Sequence, residues 1–262
     1  MPPRGGGATK AGEIIELHGG HRLACGDARD KDLMARLFGD SKADCVFTDP
    51  PYNVDYQGGR LGTILNDKQD PQDFQRFITD AFAAAFGACR PGAPFYICMG
   101  FSSYPALVEA LRPLDVHFAN VIVWVKDNAP LGWQDYKYKH ELVVKGSARK
   151  KDKGDAVAYG WKNGEHYFAP IRDESDVWHV AKRHARDYVH PTQKPLSLIG
   201  RALSNSTKKG DLVLDPFGGS GSTLIAAHAL GRRSVTVELD PRYCDVIRNR
   251  FSRFVQDPSI AV

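Results

Sequence analysis

The sequence predicts an α/β fold, doubly wound around a mostly parallel sheet, and three observations carry that expectation. Short apolar runs alternate with helical segments that are apolar on one face, the pattern of a sheet buried between helices. Two of those runs end on distinctive loops. Residues 44–48 run into Asp49-Pro50-Pro51-Tyr52, and 212–214 run into Asp215-Pro216-Phe217-Gly218-Gly219-Ser220-Gly221. An acid, Glu238, closes the next apolar run, about 20 residues beyond the glycine loop. In open α/β sheets ligands bind at the carboxyl edge of the strands, where all these features would fall.

In chain order, residues 1–12 read as a disordered tail and 13–262 as a single domain. Strands are expected at 13–17 and 22–25, a turn at 26–28, a helix at 31–38 and a strand at 44–48. Residues 53–70 are polar and glycine-bearing, a long irregular stretch of the kind that is functional or mobile. A helix over 71–89 places Phe74, Phe77, Ile78, Ala81, Phe82, Ala85 and Phe86 on one face. Arg90-Pro91-Gly92 ends it. Next come a strand (95–99), a helix (104–111) and two strands (118–125 and 140–145). Residues 146–189 break the rhythm and read as an insertion, with a basic run at Arg149, Lys150 and Lys151. The segment 191–195 opens a helix with Leu196, Ile199, Ala202 and Leu203 at helical spacing. The glycine loop then leads into a helix (222–230), a strand (234–239) and a last helix (241–254).

Composition narrows the class. A chain of 262 residues with 42% hydrophobic content supports one large α/β domain plus an insertion. A net charge of +4 suits a polyanionic partner without requiring one. The five cysteines form no C-x-x-C pair and read as reduced thiols of a cytosolic protein. No spacing of His140, His179, His184 and His190 matches a metal site, so no metal is expected. No apolar run approaches the ~18 residues of a membrane span. The first residues lack the apolar core of a secretory signal.

Asp49-Pro50-Pro51-Tyr52 is suited to work on the amino group of a flat ring. A carboxylate and the Pro50 carbonyl can accept both N–H bonds of one –NH2, and the Tyr52 face can stack on the ring. Proline fixes φ and has no N–H, so the turn is stiff and presents acceptors. The alternative is an ordinary Pro-rich turn after a strand. The glycine loop lets the backbone approach a ligand closely at a helix start, and Glu238 is placed to hold ribose hydroxyls. The loop is neither G-x-G-x-x-G nor followed by Lys, which argues against a dinucleotide or phosphate loop. The alternative is a tight strand-to-helix turn.

Taken in order, these motifs resemble the amino-group DNA methyltransferases of the beta class, in which the catalytic motif precedes the cofactor motif. Thr48 to Asn53 resembles the catalytic motif, Asp215 to Thr223 the cofactor loop, and Val237 to Tyr243 the strand that follows. His190 to Pro195, Leu23 to Asp27 and His140 to Lys145 are similar to further family segments, and the resemblance covers roughly 13–254. Ser222 stands where the family often has Thr, which keeps the hydroxyl.

The resemblance implies a seven-stranded methyltransferase sheet with a target-recognition region at 146–189. It implies S-adenosyl-L-methionine as cofactor, double-stranded DNA as substrate and partner, and methyl transfer to adenine N6. Asp49, Pro50, Pro51 and Tyr52 would be catalytic, with Tyr52 stacking on a base flipped out of the duplex. The cofactor would be held by Asp27, Ala28, Asp49, Lys194, Asp215, Pro216, Phe217, Gly218, Gly219, Ser220, Gly221, Thr223, Glu238 and Leu239. DNA would be contacted by Asn53, Arg149, Lys150, Lys151, Lys182 and Arg183. A solvated charged face is the alternative for the basic run. The family context implies a bacterial or phage cytoplasmic enzyme, and leaves open a homodimer and a cognate restriction endonuclease on another chain. Asp at position 49 leans to adenine. The alternatives are an N4-cytosine enzyme, a methyltransferase acting on RNA or a protein amide, and a non-catalytic DNA-binding relative.

Overall fold

In a computed structural model of the protein, the described residues are 8–55, 57–58, 62–63, 65–127, 139–148, 167–170, 174–181 and 193–261. Among the described residues, nine strands form one sheet: β1 (Ile14–Leu17), β2 (His21–Cys25), β3 (Cys45–Thr48), β6 (Pro94–Met99), β7 (Val116–Val125), β8 (His140–Ala148), β9 (Val177–His179), β10 (Leu212–Asp215) and β11 (Arg233–Glu238). Two short strands, β4 (Gln57–Gly58) and β5 (Gly62–Thr63), pair as a separate antiparallel ribbon within the stretch expected to be irregular. The sheet order is β1-β2-β11-β10-β3-β6-β8-β7-β9. Pairing is parallel from β2 through β6. β8 runs antiparallel to both its neighbours, and β1 antiparallel to β2. The sheet is thus mostly parallel, as expected. It is wider than the expected seven strands because β1 and the three-residue β9 extend its edges.

Helices cover both faces, and the strand residues sort between them with period two. One face carries Val46, Phe95, Ile97, Leu214 and Val237 against α1 (Lys31–Phe38), α2 (Pro71–Gly87) and α3 (Tyr104–Leu111). The other carries Cys45, Phe47, Tyr96, Cys98 and Val213 against α4 (Leu196–Ser206) and α5 (Ser222–Ala229). Leu23 and Cys25 on β2 pack with α5 and α6 (Pro241–Gln256). Aspartates start three of these helices: Asp30, Asp70 and Asp240 each accept a first-turn N–H, with proline following the latter two.

Three expectations change. Residues 8–12 are anchored rather than frayed, because Thr9 donates from N and Oγ1 to Asp245 Oδ1 at 3.2 and 2.7 Å. Residues 1–7 lie outside the described residues. The helix expected to open at 191–195 starts at Leu196 with Pro195 as its N-cap, since the residue before a proline is driven out of the helical region. β8 continues through Ala148, held by pairing to both β6 and β7.

At the edge away from the aspartate loops sits a neutral histidine pair. His21, 1% exposed, accepts the Ser234 N–H on Nδ1 at 2.9 Å. Its proton is therefore on Nε2, which donates to His228 Nδ1 at 2.9 Å. Burial, reinforced by His228, lowers His21 from 6.5 to about 4. The unfolded chain then binds more protons than the folded one as pH falls from 6.5 to about 4. The contribution of His21 to stability is constant above that window, declines through it by about 3 kcal/mol, and levels off below. The buried Asp215 and Glu238 contribute the opposite slope, so urea unfolding of wild type and His21→Gln between pH 7.5 and 4.5 isolates His21 by difference: the stability difference should change by up to about 3 kcal/mol across the window, and equal slopes would contradict the assignment.

Candidate active site

Asp49 falls at the carboxyl end of β3, whose four residues are all buried. The strand stops there because Pro50 and Pro51 have no N–H to extend the ladder. Asp49 Oδ1 accepts from the Tyr52 hydroxyl at 2.7 Å, and Oδ2 from Lys194 Nζ at 2.6 Å. Lys194 Nζ also donates to the Tyr52 oxygen at 3.1 Å and lies 3.4 Å from Glu141 Oε2. The other Glu141 oxygen accepts from Lys126. These side chains are largely buried, Lys194 at 7% exposure and Asp49 at 19%. Burial raises the Asp49 carboxyl above the ordinary range, with Lys194 pulling the other way. Burial works against the Lys194 ammonium, but Asp49 and Glu141 outweigh it and keep it protonated. Burial and Asp49 push the Tyr52 hydroxyl up, so it stays a donor.

The Asp49–Tyr52 turn is clamped from behind. Asp67, buried, accepts the Tyr52 N–H at 2.9 Å on Oδ1, and Ser103 Oγ donates to the Tyr52 carbonyl at 2.5 Å. The Tyr52 ring lies on Gly100, where an added Cβ would stand 3.1 Å from Cδ2. Asn53 clasps the loop: Nδ2 donates to the Gln69 carbonyl at 3.0 Å and Oδ1 accepts the Gln69 N–H at 2.6 Å.

The glycine loop is tied to β11. Gly218 N–H donates to Val237 O at 2.8 Å, and Gly219 N–H to Glu238 Oε2 at 2.7 Å. The other Glu238 oxygen accepts the Asp240 N–H at 2.8 Å. Burial lifts the Glu238 carboxyl to about 7, against those two backbone bonds. Burial likewise lifts Asp215 to about 7, although it accepts from Thr48 Oγ1 at 2.7 Å and from Phe217 N at 3.1 Å. Gly221 caps α5 at φ 77 without a side-chain cap, so the first N–H groups of the helix face the loop unbonded by any capping side chain. Arg250, from α6, braces the loop through Ser220 O at 2.9 Å and Ser222 Oγ at 3.0 Å.

Two cavities meet at these loops. The larger, about 870 Å³ counting space open to solvent, is lined by Asp27, Ala28, Asp49 to Tyr52, Phe77, Pro216, Phe217, Glu238 and Leu239 among others. The smaller, about 370 Å³, is lined by Lys194, Gln193, Asp215, Gly218, Ser220 and Thr223 among others. Asp49, Phe217 and Gly219 line both. Every expected catalytic and cofactor residue except Gly221 therefore borders one cavity or the other. Asp27 is paired with Arg29 at 2.6 Å, which holds its carboxyl below the ordinary range. Phe217 packs edge-on against Phe77, with ring centroids 5.9 Å apart.

Arg149, Lys150, Lys151, Lys182 and Arg183 lie outside the described residues. Glu141, Lys126 and Asp67 were not anticipated. Only Glu141 carried a signal, inside the segment 140–145. Among the described residues no cluster of three or more His, Cys, Asp or Glu is arranged to hold a metal ion, and no helix is long and apolar enough to cross a membrane.

The family described as DNA methylase (N6_N4_Mtase) matches residues 43–249. The Type II methyltransferase M.BglII of Bacillus subtilis is 27% identical over 241 residues, covering 79% of this chain and 63% of its own. M.HinfI of Haemophilus influenzae is 27% identical over 236 residues, covering 82% of this chain and 65% of its own. The chain thus spans just under two thirds of the length of these two relatives. The solved structure of TTHA0409 from Thermus thermophilus, complexed with S-adenosyl-L-methionine, aligns with TM-score 0.64 and 26% identity over 90% of this chain and 97% of its own. PvuII DNA methyltransferase, described as cytosine-N4-specific, shares the fold at TM-score 0.66 and 14% identity over 91% of this chain and 92% of its own.

Proposed function

The chain belongs to the N6/N4 DNA methylase family, and from that premise we propose that it moves a methyl group from S-adenosyl-L-methionine to the N6 amino group of adenine in double-stranded DNA. The observation that carries this reading is that the half-buried Asp49 carboxylate borders both cavities beside the glycine loop. An acceptor for an amino group and a cradle for a nucleoside-linked amino acid thus adjoin at one side chain.

The cavity chemistry fits the cofactor. Glu238 offers carboxylate oxygens to ribose hydroxyls between the apolar walls of Phe77, Phe217 and Leu239. The start of α5, with Lys194, Gln193 and Thr223, suits a charged amino-acid end. When bound, the cofactor supplies an electrophilic sulfonium methyl.

The protein's part is positioning and electrostatics. Hydrogen bonds from the target –NH2 to Asp49 and to the Pro50 carbonyl draw its nitrogen lone pair out of the ring and toward the methyl. Tyr52, fixed by its hydroxyl on Asp49 and by its seat on Gly100, presents an aromatic face to a flipped base. The Asp at position 49 favours adenine over cytosine in this reading.

Substrate class is tested by incubating the chain with labelled S-adenosyl-L-methionine and, separately, unmethylated duplex DNA of mixed sequence, RNA and a protein extract. Label on DNA alone is expected. Label on RNA or protein alone would overturn the reading.

A further inference from the structure

We propose that Glu141, which rests on the methyl-transfer reading above, is a positioning residue that draws Lys194 off Asp49 so that Asp49 can receive the target amino group. Asp49 is the acceptor in that reading, yet both of its oxygens are already engaged, Oδ1 by Tyr52 at 2.7 Å and Oδ2 by Lys194 at 2.6 Å. An amino group arriving at Oδ2 competes with a buried ammonium, which is a stronger partner than any neutral N–H.

The competitor for that ammonium is already beside it. Glu141 Oε2 lies 3.4 Å from Lys194 Nζ. Closing by roughly 0.6 Å would bring that contact into the range of a charge-assisted bond. The Tyr52 hydroxyl bridges the two positions, at 2.7 Å from Asp49 and 3.4 Å from Glu141. Lys126 pairs with the other Glu141 oxygen, so Glu141 keeps a cationic partner when Lys194 leans toward Asp49. Two lysines and two acids alternate, so the shift moves a cation between carboxylates, and Asp49 exchanges its ion pair for the Tyr52 hydroxyl and the incoming N–H groups.

The topology makes this arrangement. β8 runs antiparallel within the sheet, so its first residues reach the edge where the parallel strands end. Glu141 pairs with Trp124, and Leu142 with Met99, beside Asp49. The charged and titratable groups facing Asp49 are Lys194 before α4, Tyr52 on its own turn, Glu141 on β8 and Asp215 on β10; Cys98 on β6 and Lys126 after β7 complete the surroundings.

The test compares wild type, Glu141→Gln, Glu141→Asp and Lys126→Gln in DNA methyl transfer across pH, with cofactor affinity by calorimetry. In Glu141→Gln, Lys194 stays on Asp49. Its kcat should fall about tenfold to a hundredfold, with DNA KM and cofactor Kd little changed. The acid limb of kcat, set by protonation of Asp49, should move to lower pH. Glu141→Asp should restore most of the rate. Lys126→Gln strengthens the pull of Glu141 on Lys194 and should move the acid limb the opposite way, which keeps the test decisive should Glu141→Gln fail to fold. Wild-type transfer with an unaltered Glu141→Gln rate, a fall in kcat that merely tracks lost binding, or no opposite shift in Lys126→Gln would overturn the assignment alone. A wild-type chain that methylates no DNA would overturn the reading beneath it as well.

Discussion

Replacing Asp49 with alanine should lower kcat for DNA methylation by about a thousandfold while leaving cofactor affinity within a few-fold of wild type. The side chain offers the only carboxylate that the Asp49–Tyr52 turn itself contains. The same change removes the partner that Lys194 holds at 2.6 Å and Tyr52 at 2.7 Å. Lys194 keeps Glu141 nearby, so the loss of stability should be smaller than for a cation left alone in the interior. Asp49→Asn keeps the volume and one acceptor oxygen, and should recover folding but little rate. Single-turnover kinetics separate the outcomes. A full methyl-transfer rate in folded Asp49→Ala that still binds DNA would remove Asp49 from the chemistry.

The second large effect is expected at Gly218. A Cβ there would stand 2.5 Å from Thr236 Cγ2 and 3.2 Å from the Val237 carbonyl oxygen. Thr236 is fully buried and β-branched, so it cannot turn away. The loop must move instead, and with it the N–H bonds from Gly218 to Val237 and from Gly219 to Glu238. Gly218→Ala should weaken cofactor binding by about a hundredfold and cost about 2 kcal/mol of stability. Gly87→Ala is the control: a Cβ there meets nothing within 4 Å, and the helix gains from it. Calorimetry and thermal unfolding on the pair measure both effects. Cofactor affinity unchanged in Gly218→Ala would contradict the assigned cradle.

Much of this architecture was legible in the chain. Val46, Phe47 and Leu212 to Leu214 lie in parallel strands buried on both faces, which read as continuous apolar runs, and each is punctuated by Asp-Pro. The helices over Lys31–Phe38 and Tyr104–Leu111 are bounded as expected because their apolar spacing and terminal residues agree. What stayed hidden are the residues that support the site from elsewhere. Glu141 reaches it because β8 is antiparallel, and strand direction leaves no trace in an apolar run. Asp67 reaches the turn by loop folding, with no periodicity to announce it. β9 was missed because three residues around one buried Trp178 carry too little pattern to mark a strand. The motif position of Asn53 is visible in the chain, but its partner in the fold, the Gln69 backbone, is not.

The most direct test of the central claim is nucleoside analysis of unmethylated duplex DNA digested after incubation with the chain and methyl-labelled S-adenosyl-L-methionine. N6-methyladenine should carry the label, and Asp49→Ala should abolish it. Label on N4-methylcytosine would keep the site chemistry and contradict the choice of base. No labelled nucleoside, from a chain that binds the cofactor, would contradict the account.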